Sequence, residues 1–205
     1  MKGFGSKDLQ GKIAQPIAFN VTGWNRDHFV SSLDEIESRI ERLIENIRGS
    51  HPDWLCRRGC DSCCRRLAEL PIITRAEWLR LKAGLLTLSA ELRQRILTDI
   101  GSLAGATMPV MCPMLDADEG ACRIYPYRPL ACRSYGYYMQ KGIGLHCQQI
   151  EQKVASGLLD QVVWGNQDAL DRDLRVEGEP RSLAVWIDDP LDGMHGGYAI
   201  ADKSI

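Results

Sequence analysis

The eight cysteines of this 205-residue chain are the residues whose type and spacing indicate chemistry. Four lie within residues 56–64 and four within residues 112–147. Thiolates separated by short spacers can converge on one metal, whereas cysteines that only fill a core have no reason to cluster. The pattern predicts a metal site whose candidate ligands are Cys56, Cys60, Cys63, Cys64, Cys112, Cys122, Cys132 and Cys147.

The first cysteine segment reads Cys56-Arg-Arg-Gly-Cys60-Asp-Ser-Cys63-Cys64. On a helix its four cysteines would share one face, and on a loop Gly59 would allow a tight turn. Either geometry brings three sulfurs to one site. Adjacent Cys63 and Cys64 are harder to seat on one ion, so one of them is a candidate for a second metal, a supporting role or a reactive thiol.

The second segment contains Cys112, Cys122 and Cys132, with spacers too long for one zinc finger alone. We expect its loops to fold back and complete a site begun by the first segment, which would couple metal binding to folding. Cationic side chains near the cysteines would favour thiolates and offset their charge, unless they are only solvated surface groups. They are Arg57, Arg58, Arg65, Arg66, Arg123, Arg128 and Arg133.

The succession CxxxCxxCC, CPxL and CxIYxxRPxxCR, from Cys56 to Tyr135, resembles the YkgJ-type cysteine-cluster family, a zinc- or iron-chelating domain. The resemblance implies a metal-binding module whose ligands are the seven cysteines from Cys56 to Cys132. Cys147 lies beyond the clear motif. Residues 1–50 and those after 150 are outside the resemblance.

All-thiolate sites suit zinc or iron–sulfur clusters, and four cysteines would hold one zinc ion or one [4Fe–4S] cluster. Eight cysteines could hold two such metal centres. Aromatic side chains such as Tyr125, Tyr135 and Tyr137 would shield a redox cluster from water. Iron is therefore preferred, while zinc stays open.

Several functional readings remain open at this point. The chain could be a redox or metal-dependent modifying enzyme, or a structural zinc module that presents helices to a protein partner. His51, His146 and His195 are candidate helpers for catalysis, and the Cys63–Cys64 pair is a candidate nucleophile without an evident base.

A radical SAM enzyme shares the Cys56-x3-Cys60-x2-Cys63 spacing. However, Ser62 stands where an aromatic residue is usual in that family, and no repeated βα units follow. The chain also lacks a phosphate-binding loop of the GxxxxGK[ST] type.

The apolar pattern predicts a mainly α fold, a small helical domain with a loop-rich, metal-tied centre. A helical stripe spans 27–48, a capping box starts a helix at Thr74, and Ser89 starts another. We expect loops over 106–147, helices over 148–159 and 162–174, and a short strand or buried turn over 183–187. The predicted organisation is an N-terminal arm and amphipathic helix (1–50), a metal-binding domain (51–150) and a packed helical extension (151–205).

Bulk composition limits the partners. A net charge of −2 gives no electrostatic case for nucleic acid or an anionic membrane, and no apolar run is long enough to span a bilayer. The first residues contain no apolar stretch suited to secretion. We therefore expect a cytoplasmic protein with reduced cysteines.

Overall fold

The computed structural model describes residues 32–189, and helices are their main regular structure, as predicted. The helices are α1 (Ser32–Ser50), α2 (Ser62–Arg65), α3 (Arg75–Leu86), α4 (Ala90–Ser102), α5 (Leu130–Ser134), α6 (Gln148–Ala155), α7 (Gln167–Leu174) and α8 (Leu183–Trp186). None of these helices is long and apolar enough to cross a membrane.

Short strands, which the sequence pattern does not predict, tie the loops together. They are β1 (Ile72–Ile73), β2 (Leu115–Asp116), β3 (Ala121–Cys122), β4 (Tyr138–Gln140), β5 (Ile143–Leu145), β6 (Gly165–Asn166) and β7 (Arg181–Ser182). Strand β1 pairs with β7 and β2 with β3, both antiparallel. Strand β4 pairs antiparallel with β5 and parallel with β6. Between residues 32 and 189 there are no repeated βα units of the kind that a radical SAM barrel requires.

Helix α1 buries the apolar stripe that predicted it, through Leu33, Ile36, Ile40 and Ile47. It ends at Ser50, two residues beyond the end of the predicted stripe at residue 48. The first part of the predicted helix, residues 27–31, lies outside the described residues. The same is true of the predicted N-terminal arm, which precedes this helix, and of His195.

The predicted capping box of α3 is confirmed. The Thr74 hydroxyl accepts a hydrogen bond from the Glu77 amide at 3.3 Å, and the Glu77 carboxylate accepts one from the Thr74 amide at 3.0 Å. Ser89 caps α4 by accepting a bond from the Leu92 amide at 3.3 Å, also as predicted. Both signals are local, so the sequence alone can carry them.

The C-terminal half departs from the sequence prediction in three places. Helix α6 ends at Ala155, because Gly157 turns the chain with a φ of +76°. Helix α7 begins only at Gln167, after Asn166 caps it through the Ala169 amide. Residues 183–186 form α8 rather than a strand or turn, and the Leu183 amide donates to the Pro71 carbonyl at 2.9 Å.

Two hydrophobic clusters form the core. The first combines α1 with residues such as Trp54, Tyr137 and Leu170. The second surrounds Trp78 of α3 and includes Met114. The first cluster therefore draws on all three predicted ranges, 1–50, 51–150 and 151–205, whose boundaries stay a prediction.

Glu77 links the two clusters. Its side chain is 3% exposed, and beyond the capping box it accepts a hydrogen bond from the Leu130 amide of α5 at 2.9 Å. Burial raises the pKa of this carboxyl, while the bonds from Thr74 and Leu130 act in the opposite direction. One buried carboxylate thus satisfies backbone donors at the starts of α3 and α5.

Replacing Glu77 with Ala should destabilise the protein by about 2–4 kcal/mol, because the cap is lost and the buried Leu130 amide is left without an acceptor. Urea unfolding would measure the change in the free energy of unfolding. Glu91→Ala is the matched control, since Glu91 lies in the first turn of α4 but is exposed. Equal effects of the two substitutions would contradict the linking role of Glu77.

Candidate metal centre

One cavity of about 560 Å³ lies between the two hydrophobic clusters. Tyr137 of the first cluster and Met114 and Ile124 of the second line it. Seven of the eight predicted ligands also line it, namely Cys56, Cys60, Cys63, Cys64, Cys112, Cys122 and Cys132. The structure thus brings both cysteine segments to one place.

The first segment is a turn followed by a single helical turn. The Cys60 amide donates to the Arg57 carbonyl at 2.9 Å, and Gly59 has a φ of +89°. Cys63 and Cys64 then lie in α2. The segment is therefore neither a continuous helix nor a simple loop, the two geometries considered from the sequence.

Backbone hydrogen bonds attach the second segment to the first. The Cys112 amide donates to the Cys64 carbonyl at 2.7 Å, and Leu67 and Val110 exchange bonds of 2.8 and 3.1 Å. The β2–β3 hairpin then places Cys122, and α5 carries Cys132. The second segment folds back onto the first, as the spacers predicted.

The sulfurs of two adjacent residues lie close together, with Cys63 Sγ and Cys64 Sγ 4.0 Å apart. Zinc–sulfur bonds of about 2.3 Å at tetrahedral angles would place two ligand sulfurs roughly 3.8 Å apart. The pair is therefore near the spacing that one ion requires. Across residues 32–189, however, no three or more Cys, His, Asp or Glu side chains are arranged to hold an ion.

The environment of the cavity favours neutral thiols. Burial raises the pKa of Cys56 and of Cys132 to about 12, and nearby cysteines add to both shifts. A hydrogen bond with Cys112 raises the pKa of Cys64 to about 12. The hydrogen bond between Cys63 and Cys64 raises the pKa of Cys63, and burial raises that of Cys122. An entering metal must therefore displace protons from these groups.

Arg128 supplies positive charge to this thiol-lined cavity. Its guanidinium lies 3.7 Å from the centre of the Tyr125 ring, and its Nε donates to the Tyr125 carbonyl at 3.2 Å. It lowers the pKa of Cys56, Cys63, Cys122 and Cys132, against the effect of burial. No carboxylate in residues 32–189 forms an ion pair with Arg128.

Other predicted arginines have carboxylate partners instead. Arg65 pairs with Asp61 at 2.5 Å, Arg123 with Asp116 at 2.7 Å, and Arg133 with Glu37 at 2.7 Å. These three charges are neutralised within the fold. Arg57 and Arg66 also line the cavity, and no ion pair involves either within residues 32–189. The expected electrostatic role is clearest for Arg128, because its charge lowers the pKa of four cavity cysteines.

Arg48 is a basic residue that the sequence reasoning missed. It donates to the Tyr137 hydroxyl and to the Cys56 carbonyl, both at 2.9 Å, and its charge lowers the pKa of Cys56. It lies at the end of α1, outside both cysteine segments. Nothing in the sequence around Arg48 predicts that its side chain lies beside the thiols.

The sequence reasoning also missed Gly136. Its φ is +91°, and a Cβ built there would lie 2.9 Å from both Cβ and Sγ of Cys56. The Gly136 amide donates to the Leu145 carbonyl at 2.6 Å. The chain therefore passes against Cys56 at a distance that only glycine permits.

Cys147 and His146 do not line the cavity that contains the other seven cysteines. Cys147 is at the N-cap position of α6, without a side-chain cap hydrogen bond, and packs against the first hydrophobic cluster outside the lining of the cavity. The His146 ring lies 5.4 Å from that of Trp164, with Nδ1 3.5 Å from a carboxylate oxygen of Glu151. His51 contacts Trp54, at 5.9 Å between ring centres. The structure thus groups neither histidine with the seven thiols.

Comparison with protein families identifies a match over the cysteine segments. Residues 55–155 match the model of the CxxCxxCC family, described as "Putative zinc- or iron-chelating domain". The resemblance inferred from the cysteine motifs is confirmed by this match. No curated protein and no solved structure matches the chain.

Gly136→Ala should destabilise the protein through both the positive φ and the contact with Cys56. The backbone term alone is worth about 1–3 kcal/mol. Gly105→Ala is the matched control, because Gly105 has a φ of +81° and open space around its Cα. Urea unfolding of both variants should show the larger loss for Gly136→Ala, and equal losses would show that the contact with Cys56 is unimportant.

Proposed function

Through residues 55–155 the chain belongs to the CxxCxxCC family, and from this premise we propose that it binds iron or zinc through cysteine thiolates around the central cavity. The observation that carries the proposal is the presence of seven cysteines on the lining of one cavity. Thiolates are the donors that zinc and iron–sulfur clusters share. Their chemistry fits the family description.

The proposed ligands are drawn from the seven lining cysteines, with Cys147 as a candidate of lesser importance. The thiols surround the cavity without meeting at one point, so binding would require proton loss and rotation of side chains toward the metal. Arg128 would offset part of the negative charge that the thiolates acquire. Arg48 would add to this effect through its position beside Cys56.

An iron centre is the leading form of the proposal. Seven thiols exceed the four that one zinc ion takes, and a cavity of about 560 Å³ has room for more than a single ion. When bound, an iron–sulfur cluster supplies electron transfer or substrate activation. Such a centre would make the protein a redox or metal-dependent modifying enzyme.

A structural zinc module is the second candidate. The 4.0 Å separation of the Cys63 and Cys64 sulfurs favours it, because this is close to the spacing on one tetrahedral zinc. An ion there would also strengthen the attachment of Cys112 to Cys64. In this case the protein would act by presenting its surface to a protein partner.

A cytoplasmic location completes the proposal. All eight cysteines are free. Free thiols persist in a reducing compartment, whereas secreted proteins tend to oxidise them.

Anaerobic purification followed by an absorption spectrum and elemental analysis tests the proposal. Iron and acid-labile sulfide in equal amounts, with a broad absorption band in the visible range, would establish an iron–sulfur cluster. Iron without sulfide would indicate an iron site open to substrate chemistry. Colourless protein with tightly held zinc would favour the structural module. Protein that binds neither metal after supplementation would refute the proposal.

Replacing a lining cysteine should release metal and lower stability, because metal binding energy contributes to folding. We expect Cys60→Ser and Cys132→Ser to lose most bound metal and to unfold at lower urea concentration. Cys147→Ser is the matched control and should lose much less. Full metal content and unchanged stability in Cys132→Ser would show that the second segment is not part of the site.

Arg128→Gln should weaken metal retention about 10- to 100-fold, the usual effect of removing a group that supports metal ligands. Competition with a chelator would measure the change. Arg58→Gln is the control, since Arg58 lies 5.6 Å from the centre of the same Tyr125 ring but is absent from the cavity lining. Equal metal retention in the two variants would contradict the charge-balancing role of Arg128.

A further inference from the structure

The cavity extends beyond the thiols to a wall of different chemistry. Ser134 of α5, Gln140 of β4, and Gln167 and Asp171 of α7 line this part. Ser134 is 1% exposed and Gln167 is 7% exposed. Hydroxyl, amide and carboxylate groups therefore line the same cavity as the cysteine sulfurs.

Hydrogen bonds hold this wall in one arrangement. The Ser134 hydroxyl donates to the Gln167 side-chain oxygen at 3.0 Å. The Gln167 amide donates to one Asp171 oxygen at 2.7 Å, and the Gln140 amide donates to the other at 3.2 Å. Two elements distant in sequence thus orient a single carboxylate.

Asp171 differs from the other aspartates of α7 in its partners. Asp173 pairs with Arg39, and Asp168 accepts a hydrogen bond from the Lys141 backbone amide at 3.2 Å. Neither of them lines the cavity. Asp171 accepts only neutral amides, and within the described part of the chain no cation forms an ion pair with it. Its negative charge is oriented, half-buried and available to the cavity.

We propose that this wall binds the protonated amine of a small organic molecule, with Asp171 as the charged partner. Apolar side chains of Ile44, Tyr137 and Leu145 line the cavity as well and would contact a short alkyl chain. The volume of about 560 Å³ lies within the roughly 300–1,000 Å³ of small-molecule sites. The site goes beyond metal binding and does not depend on which metal the thiols hold.

The wall should distinguish ligands by their charge rather than by their size. A protonated amine has three donors, and a carboxylate has about four acceptor sites, of which the two amide bonds leave about two for the amine. An alcohol of the same length offers one neutral donor and no charge. Charge-assisted hydrogen bonds are about twice as strong as neutral ones, so the amine should bind in preference to the alcohol.

The test compares n-butylamine with n-butanol, using ligand-observed NMR on the protein as purified under anaerobic conditions. Butylamine should bind saturably and about tenfold more tightly than butanol. Asp171→Asn should remove this preference. Asp168→Asn, on the same helix but outside the cavity lining, should keep it.

Equal affinities for amine and alcohol, no saturable amine binding, or an unchanged preference in Asp171→Asn would each overturn the proposal. Should Asp171→Asn fail to fold, Asp171→Glu keeps the charge but displaces it, and it should weaken amine binding while butanol binding stays the same. Elemental analysis of the same samples separates this outcome from that of the metal proposal. Amine binding by a metal-free sample would support the Asp171 site while counting against the metal centre.

Discussion

Seven thiols line one cavity between the two hydrophobic clusters, and their close packing determines which charges the surrounding structure can hold. Because burial and mutual proximity raise the pKa of several cysteines, they are neutral at physiological pH in the absence of metal. Neutral thiols satisfy their modest hydrogen-bonding needs locally, as Cys56 does by donating to the Tyr135 carbonyl at 3.3 Å. Loss of their protons would leave uncompensated negative charge in a half-buried space, which only a cation can offset.

Backbone hydrogen bonds keep the thiols close together despite this electrostatic cost. The bond from the Cys112 amide to the Cys64 carbonyl joins the two cysteine segments directly. Glu77 joins the hydrophobic clusters on either side of the cavity by accepting the Leu130 amide, just before Cys132. These contacts do not involve sulfur, so the surroundings of the cavity are held by ordinary hydrogen bonds and packing. A metal would then bind in a cavity that these contacts already form.

The sequence was most informative where the signal is local. The cysteine motifs predicted the family, and Thr74, Glu77 and Ser89 predicted the starts of two helices, since capping depends on residues three apart. Strands β1, β6 and β7 were missed because each pairs with a distant segment, as Ile72 does with Ser182. Strands β2 to β5 pair within local hairpins, but at two or three residues each they are too short to show an alternating pattern. Residues 183–186 form a helix for a similar reason, since the preceding strand anchors them to β1.

The site shows the same division between local and distant information. The sequence placed seven arginines near the cysteines, but only the fold reveals that Arg65, Arg123 and Arg133 pair with carboxylates while Arg128 does not. Gly136 and Arg48 contact Cys56 or its carbonyl across distances that no motif encodes. Spacing along the chain identifies candidate ligands, whereas charge balance around them is a property of the folded chain.

The two proposals for the cavity depend on the charges of Arg128 and Asp171. Each is a charged side chain on its lining that has no oppositely charged side-chain partner in residues 32–189, although nearby residues of the same type do pair. Leaving a half-buried charge unpaired lowers stability, so a fold optimised for stability alone would pair or replace both. Local departures of this kind are expected where a protein binds something. The positive charge faces the thiols proposed to bind metal, and the negative charge lines the part of the cavity proposed to bind an amine. The two walls are consistent with a centre in which metal and a small molecule lie side by side.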